Sequence, residues 1–395
     1  MTWLRGGKRL RETRLWGLKL GLIYYPPQVL IQRGFKIVFY DPSDVKVGEI
    51  GSDVLAGRAS SVEFELMDFG CGAWSLTLED RPGFDIGYRT RIDIHPYFSD
   101  LPWFSGFVQN RPKEGTARPV VYSGFGFYEQ LDWVRVTDSY AALDIAEIVK
   151  DIVEHTVAPN TQIIYNAAKV ETTGYTVNSI NFDHTPAKDA IQTLAETAQN
   201  FEYGVDSLRE FYFRAVSAEV KEQYWIGKHL AGLDIEEDPK PIRNRLYVKV
   251  GQIQAGGTNY IGSVENGASI LAHGLHEDEI TAPEILNNTD ALQWANYLLN
   301  QKKDPLVRAQ LRDIFLDDTK VKIDAVGKVR ITTGTGTEYT LAIKRVQYKI
   351  NAAGILADIE LGQILIPFEQ HIVSLLRRIT DEQRLGDKRT QQLYP

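Results

Sequence analysis

The chain has 395 residues and a mass of 44.6 kDa, with 43% hydrophobic and 24% charged residues. This composition is typical of a globular protein and excludes a mostly disordered chain or a coiled coil. No apolar run reaches the roughly 18–20 residues that a spanning helix needs, which excludes a bundle of membrane helices. The single cysteine, Cys71, excludes a disulfide scaffold and a cysteine-cluster metal site.

Charge is distributed unevenly along the chain. Residues 1–36 contain eight basic residues and one acidic residue, whereas the remaining chain has 36 basic and 51 acidic residues, so the net charges are +7 and −15. We predict that residues 1–34 form a basic arm that lies on an acidic surface of a neighbouring copy or partner; the alternative is a solvated tail. The acidic body argues against nucleic-acid binding by the arm. The residues predicted to make the arm contact are Arg5, Lys8, Arg9, Arg11, Arg14, Trp16, Tyr24 and Tyr25.

Residues 35–137 alternate with the period of a β-strand. Phe35, Ile37 and Phe39 share one face, and similar apolar alternation recurs up to Tyr122. Turn-forming residues such as Arg81-Pro82-Gly83 separate the segments. Several short strands at spacings of about ten residues predict an antiparallel β-barrel or sandwich.

Residues 138–236 change to a mixed pattern. Apolar residues from Ala142 to Val153 recur at helical spacing, and a short strand is predicted at residues 162–165. Thr185 is predicted to cap a second helix that begins at Pro186 and ends near Gln199. A hairpin is predicted at residues 201–214. We therefore expect a small α+β module between two β regions.

The acidic segment 236–241, which includes Glu236 and Glu237, is predicted to be a solvated loop at a domain boundary. Strand patterns then return over residues 237–366, interrupted by one helix at residues 290–301. The predicted fold is mainly β with an α+β insert: two antiparallel β-barrel domains flank the small α+β module. Residues 367–395 are predicted to form a helix and tail. One apolar face of that helix is predicted to contact a partner through Ile372, Leu375, Leu376 and Ile379.

The sequence offers no catalytic, cofactor or metal site. His273 and His276 are three residues apart, but no third histidine or cysteine lies near them in the sequence. Cys71 lies between two glycines and is interpreted as a small buried residue rather than a nucleophile. Asp68-Phe69-Gly70 matches the magnesium-binding triplet of kinases, but no other kinase signature accompanies it, so we predict a turn between two strands. These observations disfavour an enzyme.

Three stretches resemble the tail hub proteins of tailed bacteriophages, the baseplate-hub type that contractile injection systems share. The first is FEYGVDSLREFYF at residues 201–213, which follows a helix opened by Thr-Pro. The second is NRLYVKV at residues 244–250, where the second β region begins. The third is SILAHGLHEDEI at residues 269–280, followed by a helix. The basic start, residues 1–34, has no counterpart in that family.

The resemblance implies a homotrimer whose two β-barrels alternate around a central channel. Such a ring adapts the sixfold tail tube to a threefold spike or fibre. Its implied partners are a distal tail or tube-end ring protein, the tape measure protein and a central spike or fibre protein. DNA passes through during genome ejection without specific binding. The implied location is the virion tail tip, assembled in the host cytoplasm.

Two other functions stay open at this point. The first alternative is a carbohydrate-binding or glycan-hydrolysing β protein of a tail or cell surface. The second is the hub of a contractile injection system or of a gene-transfer particle.

Overall fold

The computed structural model describes residues 35–51, 59–96, 99–113, 118–226, 234–239, 241–254, 258–282, 284–316, 322–333, 336–351 and 354–362. Most of these residues are in β-strands, so the predicted mainly β class is confirmed. Within this part of the chain, no helix is both long and apolar enough to cross a membrane.

The strands fall in two groups separated by the helical part of the chain. The first strands are β1 (Phe35–Tyr40), β2 (Lys46–Gly51), β3 (Ala59–Met67), β4 (Gly70–Leu78), β5 (Arg91–Pro96), β6 (Phe104–Asn110), β7 (Val120–Gly126), β8 (Arg135–Asp144), β9 (Thr176–Pro186), β10 (Phe201–Val205) and β11 (Phe211–Ala215). The later strands are β12 (Val220–Trp225), β13 (Asp234–Asp238), β14 (Arg245–Gln254), β15 (Thr258–Glu265), β16 (Glu277–Ala282), β17 (Leu306–Leu316), β18 (Lys328–Thr332), β19 (Glu338–Asn351) and β20 (Gly354–Gly362). The α-helices are α1 (Ile145–Asp151), α2 (Ala187–Ala198), α3 (Gly267–His273) and α4 (Asn288–Lys302).

Strands from both ends of the sequence form one large sheet. Among the described residues its order is β13-β17-β20-β19-β3-β4-β7-β6-β5-β1-β2. The β10–β11 hairpin joins it at β4, and β12 joins through β18, which pairs with β19. The link between early and late strands is the antiparallel pair β3–β19, in which Phe64 lies opposite Tyr348.

The first hydrophobic cluster packs against this sheet and takes side chains from both β regions. The rings of Phe64 and Tyr348 stack with centroids 4.9 Å apart, and Phe104 and Trp103 contact one or the other of them. The buried Tyr348 hydroxyl donates to the carbonyl oxygen of Ile323 and accepts from its N–H, both at 2.8 Å. Because a buried hydroxyl is costly without partners, these bonds make a tyrosine stable at this position.

The second cluster joins the α+β part to strands and helices later in the chain. It contains the buried faces of α1, α2 and the β10–β11 hairpin together with β14, β16 and α4. Apolar residues of α2 such as Ile191 and Leu194 recur at helical spacing and are fully buried. The Trp294 indole N–H of α4 donates to the Glu196 carboxylate of α2 at 2.6 Å. The division of the chain at residues 34, 137, 236 and 366 stays a prediction.

Several local predictions are wrong at their boundaries. Thr185 does not cap α2: it is buried in β9, and the residue in the cap position is Pro186, with no side-chain cap. Strand β9 continues to Pro186 because it pairs with β8 up to that residue. Residues 162–165 form no strand and contribute one bridge from Ile164 to Glu210.

The first helix also begins later than predicted. Ala142 belongs to β8, which pairs with β9 up to Asp144. The Asp144 carboxylate then accepts a hydrogen bond of 2.8 Å from the N–H of Ala146 and caps α1. Glu236 and Glu237 lie in β13, since that segment pairs with β17, and do not form a loop.

Candidate functional site

The residues predicted to contact partners lie outside the described residues. These are the arm residues Arg5, Lys8, Arg9, Arg11, Arg14, Trp16, Tyr24 and Tyr25, and the helix residues Ile372, Leu375, Leu376 and Ile379. Both contacts stay predictions. The described surfaces therefore have to be assessed on their own geometry.

The residues weighed for chemistry are in structural positions. Cys71 is buried in β4, and burial raises the pKa of its thiol to about 12. At neutral pH the group is therefore a thiol rather than a nucleophilic thiolate. The His276 Nε2 atom is 3.2 Å from the backbone carbonyl oxygen of His273. Within the described part of the chain, no three histidine, cysteine or carboxylate residues are placed to hold a metal ion.

The triplet Asp68-Phe69-Gly70 forms the turn between β3 and β4, as the sequence predicts. The β10–β11 hairpin packs directly on this turn: the N–H of Val205 donates to the carbonyl oxygen of Phe69 at 3.0 Å. The Tyr212 hydroxyl donates to the carbonyl oxygen of Asp68 at 2.9 Å. The turn is thus the place where the large sheet receives the α+β part.

Aromatic rings extend this junction. The rings of Phe69 and Tyr128 stack with centroids 4.2 Å apart, and the Tyr128 hydroxyl donates to the Tyr203 hydroxyl at 3.1 Å. The Tyr203 hydroxyl in turn donates to the carbonyl oxygen of Lys188 in α2 at 3.2 Å. Burial raises the pKa of both tyrosines, so they stay neutral and act as hydrogen-bonding core residues.

A cleft of about 860 Å³ lies beside the junction. Its walls include the β10–β11 turn and the loop before β6, where Leu101 is exposed. Lys169 crosses one wall and forms ion pairs with both Asp206 and Glu210. The Lys169 ammonium holds the pKa of the Glu210 carboxyl below its usual range. This cluster fixes the hairpin turn to the chain segment before β9.

We predict that Lys169→Met lowers the free energy of unfolding at pH 7 by less than about 1 kcal/mol, since partly exposed ion pairs contribute little. Because the pKa of Glu210 is lowered in the folded state, its contribution is present above the ordinary carboxyl pKa and is lost as pH falls through the lowered value. Urea unfolding at pH 7 and pH 3 measures this difference. Lys328→Met is the matched control, as no ion pair of Lys328 occurs among the described residues. An equal loss for Lys169→Met at both pH values would contradict the prediction.

One face of the central strands is charged. Opposite to the buried Phe64 and Tyr348, side chains of β3, β19 and β20 form cross-strand ion pairs. Arg345 pairs with Glu65 and Glu360, and Lys349 pairs with Asp358 at 2.7 Å. With Glu63 on the same face, the carboxylates outnumber the cations by four to two. This face is suited to contact with solvent rather than with a second hydrophobic layer.

A second surface is aromatic and basic. Tyr88 and Trp133 are 63% and 45% exposed, and Arg111 and Arg89 lie over their rings at 5.0 and 5.5 Å. The partly exposed Phe125 extends the surface, because it lies opposite Phe107, whose ring is 5.2 Å from that of Trp133. These five residues, Tyr88, Arg89, Arg111, Phe125 and Trp133, are called the aromatic–arginine surface below.

Tryptophans were predicted to lie in the core or at subunit interfaces. Trp74 and Trp103 are buried, whereas Trp133 and Trp225 are about half exposed. Neither Tyr88 nor Arg89 was singled out from the sequence. Both follow a short turn without strand alternation, and only the folded chain brings them beside Trp133.

Three solved structures share this fold along most of their length. The 43 kDa tail protein of a Shewanella oneidensis prophage matches with a TM-score of 0.59 at 12% identity, over 82% of this chain and 98% of that chain. A tail protein from Neisseria meningitidis matches with a TM-score of 0.60 at 9% identity, over 84% and 96%. A prophage tail protein from Listeria monocytogenes matches with a TM-score of 0.55 at 11% identity, over 87% and 99%.

Sequence comparison alone gives no such match. No protein-family model matches the chain, and no curated protein matches it in sequence. The structural matches confirm, at the level of the fold, the resemblance to phage tail proteins that the sequence predicted.

Proposed function

We propose that this chain is a structural hub protein at the tip of a phage tail, rather than an enzyme. The observation that carries the proposal is the extent of the fold match. The chain matches three phage or bacterial tail proteins over 82–87% of its own length and over 96–99% of theirs. An unrelated β protein that shared one domain with them would match only part of each chain.

In the proposed assembly, three copies form a ring around a central channel. The ring joins a tube-end or distal tail ring to a central spike or fibre, and the tape measure protein and then the DNA pass through it. Large edges of β-sheet favour association, because unpaired strand edges are sites of contact with other chains. Closed symmetric rings remove such edges from solvent.

The charge of the chain suits a DNA channel. Residues 37–395 have a net charge of −15, and DNA adheres to surfaces that neutralise its phosphates. We propose the charged face of β3, β19 and β20 as a candidate for the channel lining, since carboxylates such as Glu63 and Glu65 outnumber its cations. A lining of this kind repels phosphates and lets DNA move without sticking.

The full-length protein at micromolar concentration is predicted to have three times the mass of one 44.6 kDa chain. Mass photometry and analytical ultracentrifugation measure this directly, and a reconstruction of the particle shows the symmetry at the tail tip. A strictly monomeric chain within the particle, or a sixfold ring of it, would contradict the proposal. A channel ringed by lysine and arginine would contradict the DNA-passage part alone.

A further inference from the structure

The aromatic–arginine surface has the composition of a binding site between proteins. Tryptophan, tyrosine and arginine are enriched among the residues that contribute most to interfaces, because they bury large areas and form directed contacts. Here Arg89 lies over the ring of the half-exposed Trp133, and Arg111 lies over the ring of Tyr88. Each arginine is therefore held in place beside an exposed aromatic ring.

The charge of this surface is not balanced locally. Arg111 has a carboxylate neighbour in Asp85 at 3.7 Å, and both side chains are largely exposed. Among the described residues, Arg89 forms no ion pair, and neither does the neighbouring exposed Arg135. A partner that fits this surface must bring carboxylates as well as apolar contact.

The same chain presents a surface of that chemistry at the far end of the large sheet. Strand β13 has the sequence DIEED and pairs only with β17 in the described part of the chain, so its other edge has free backbone groups. Glu237 is exposed and forms no ion pair among the described residues, while Glu236 pairs with Arg308. An acidic edge strand can therefore offer both carboxylates and main-chain hydrogen bonds.

We propose that the aromatic–arginine surface of one copy receives the acidic strand β13 of the next copy. The inference rests on the proposed ring and names the contact that closes it. Strand β13 begins the sheet order, whereas β7 and β6, which carry the surface, lie in its other half. Two different surfaces that meet head to tail produce a ring when the rotation closes.

A charge exchange tests the contact. Arg89→Glu places a carboxylate against β13, and we expect association to weaken at least tenfold. Glu237→Arg alone is expected to have a similar effect. The double variant Arg89→Glu/Glu237→Arg restores opposite charges in every contact of the ring and is expected to recover association to within about threefold of the wild type.

Concentration series in the ultracentrifuge measure association, and thermal unfolding shows that each variant is folded. Lys150→Glu on α1 makes the same change of charge outside the surface and is expected to leave association unchanged. Raising the salt concentration should weaken the wild-type contact, since exposed charges are screened over about 8 Å at physiological ionic strength.

Each outcome separates the two proposals. If the wild type forms a trimer that Arg89→Glu does not weaken, this contact is wrong and the ring stands. If Arg89→Glu weakens the trimer but the double variant does not recover, the surface is an interface whose partner is not β13, which also overturns the proposal. If the wild type does not associate, in solution or in the particle, both proposals are contradicted.

Discussion

Gly70→Val is expected to remove most of the folded, soluble protein. Gly70 has a φ of +103°, which valine adopts only with strain, and a Cβ at this position would lie 1.9 Å from the carbonyl oxygen of Val205. The β10–β11 hairpin would have to move away from the turn between β3 and β4. Strain and displaced packing together are expected to lower the free energy of unfolding by about 3 kcal/mol or more.

The matched control is Gly83→Val. Gly83 is exposed, and a Cβ there would meet no atom within 4 Å, so we expect a change of stability within about 0.5 kcal/mol. Soluble yield and urea unfolding of both variants provide the comparison. Wild-type stability for Gly70→Val would show that the hairpin does not need its close contact with the turn.

Local signals explain why this region could be predicted from sequence and its contact could not. The hairpin of β10 and β11 and the turn at Asp68-Phe69-Gly70 follow from alternation and turn residues within a few positions. The contact of Gly70 with Val205 joins positions far apart in sequence. Nothing in either segment specifies the other, because packing between distant segments depends on the shape of the folded chain.

Helix and strand boundaries show the same limit on a smaller scale. Thr185-Pro186 is a strong local signal for a helix start, yet Thr185 remains in β9 because pairing with β8 continues through it. The acidic residues of β13 lack the apolar alternation of a strand, and pairing with β17 makes them one. In both places tertiary hydrogen bonding outweighs local preference. The predicted partner contacts of residues 1–34 and 367–395 stay predictions.

The second core depends on a buried acid that the sequence suggested only as a helix start. Asp290 lies in the first turn of α4 and is 1% exposed. Its carboxylate accepts hydrogen bonds of 2.9 Å from the Tyr175 hydroxyl, the Asn178 N–H and the Asn178 side-chain amide, and one of 3.3 Å from the Ser179 N–H. Burial and the bond to Asp290 raise the pKa of Tyr175, which keeps its hydroxyl a donor. One side chain thereby joins α4 to β9.

Asp290→Ala is therefore expected to lower the free energy of unfolding by about 3–5 kcal/mol, because it leaves several buried donors without an acceptor. Asp290→Asn keeps one oxygen and is expected to cost less, about 2 kcal/mol, whereas Tyr175→Phe removes a single hydroxyl and is expected to cost about 1 kcal/mol. Asp304→Ala, at an exposed position, is the control and should lie within about 0.5 kcal/mol of the wild type. Urea unfolding gives all four values.

A double variant decides whether these bonds act together. Once Asp290 is alanine, the Tyr175 hydroxyl has lost its acceptor, so adding Tyr175→Phe should cost nothing further or restore a few tenths of a kcal/mol. Additive losses would mean that Tyr175 stabilises the core without Asp290. An Asp290→Ala variant as stable as the control would show that α4 is attached to β9 by its apolar side chains alone.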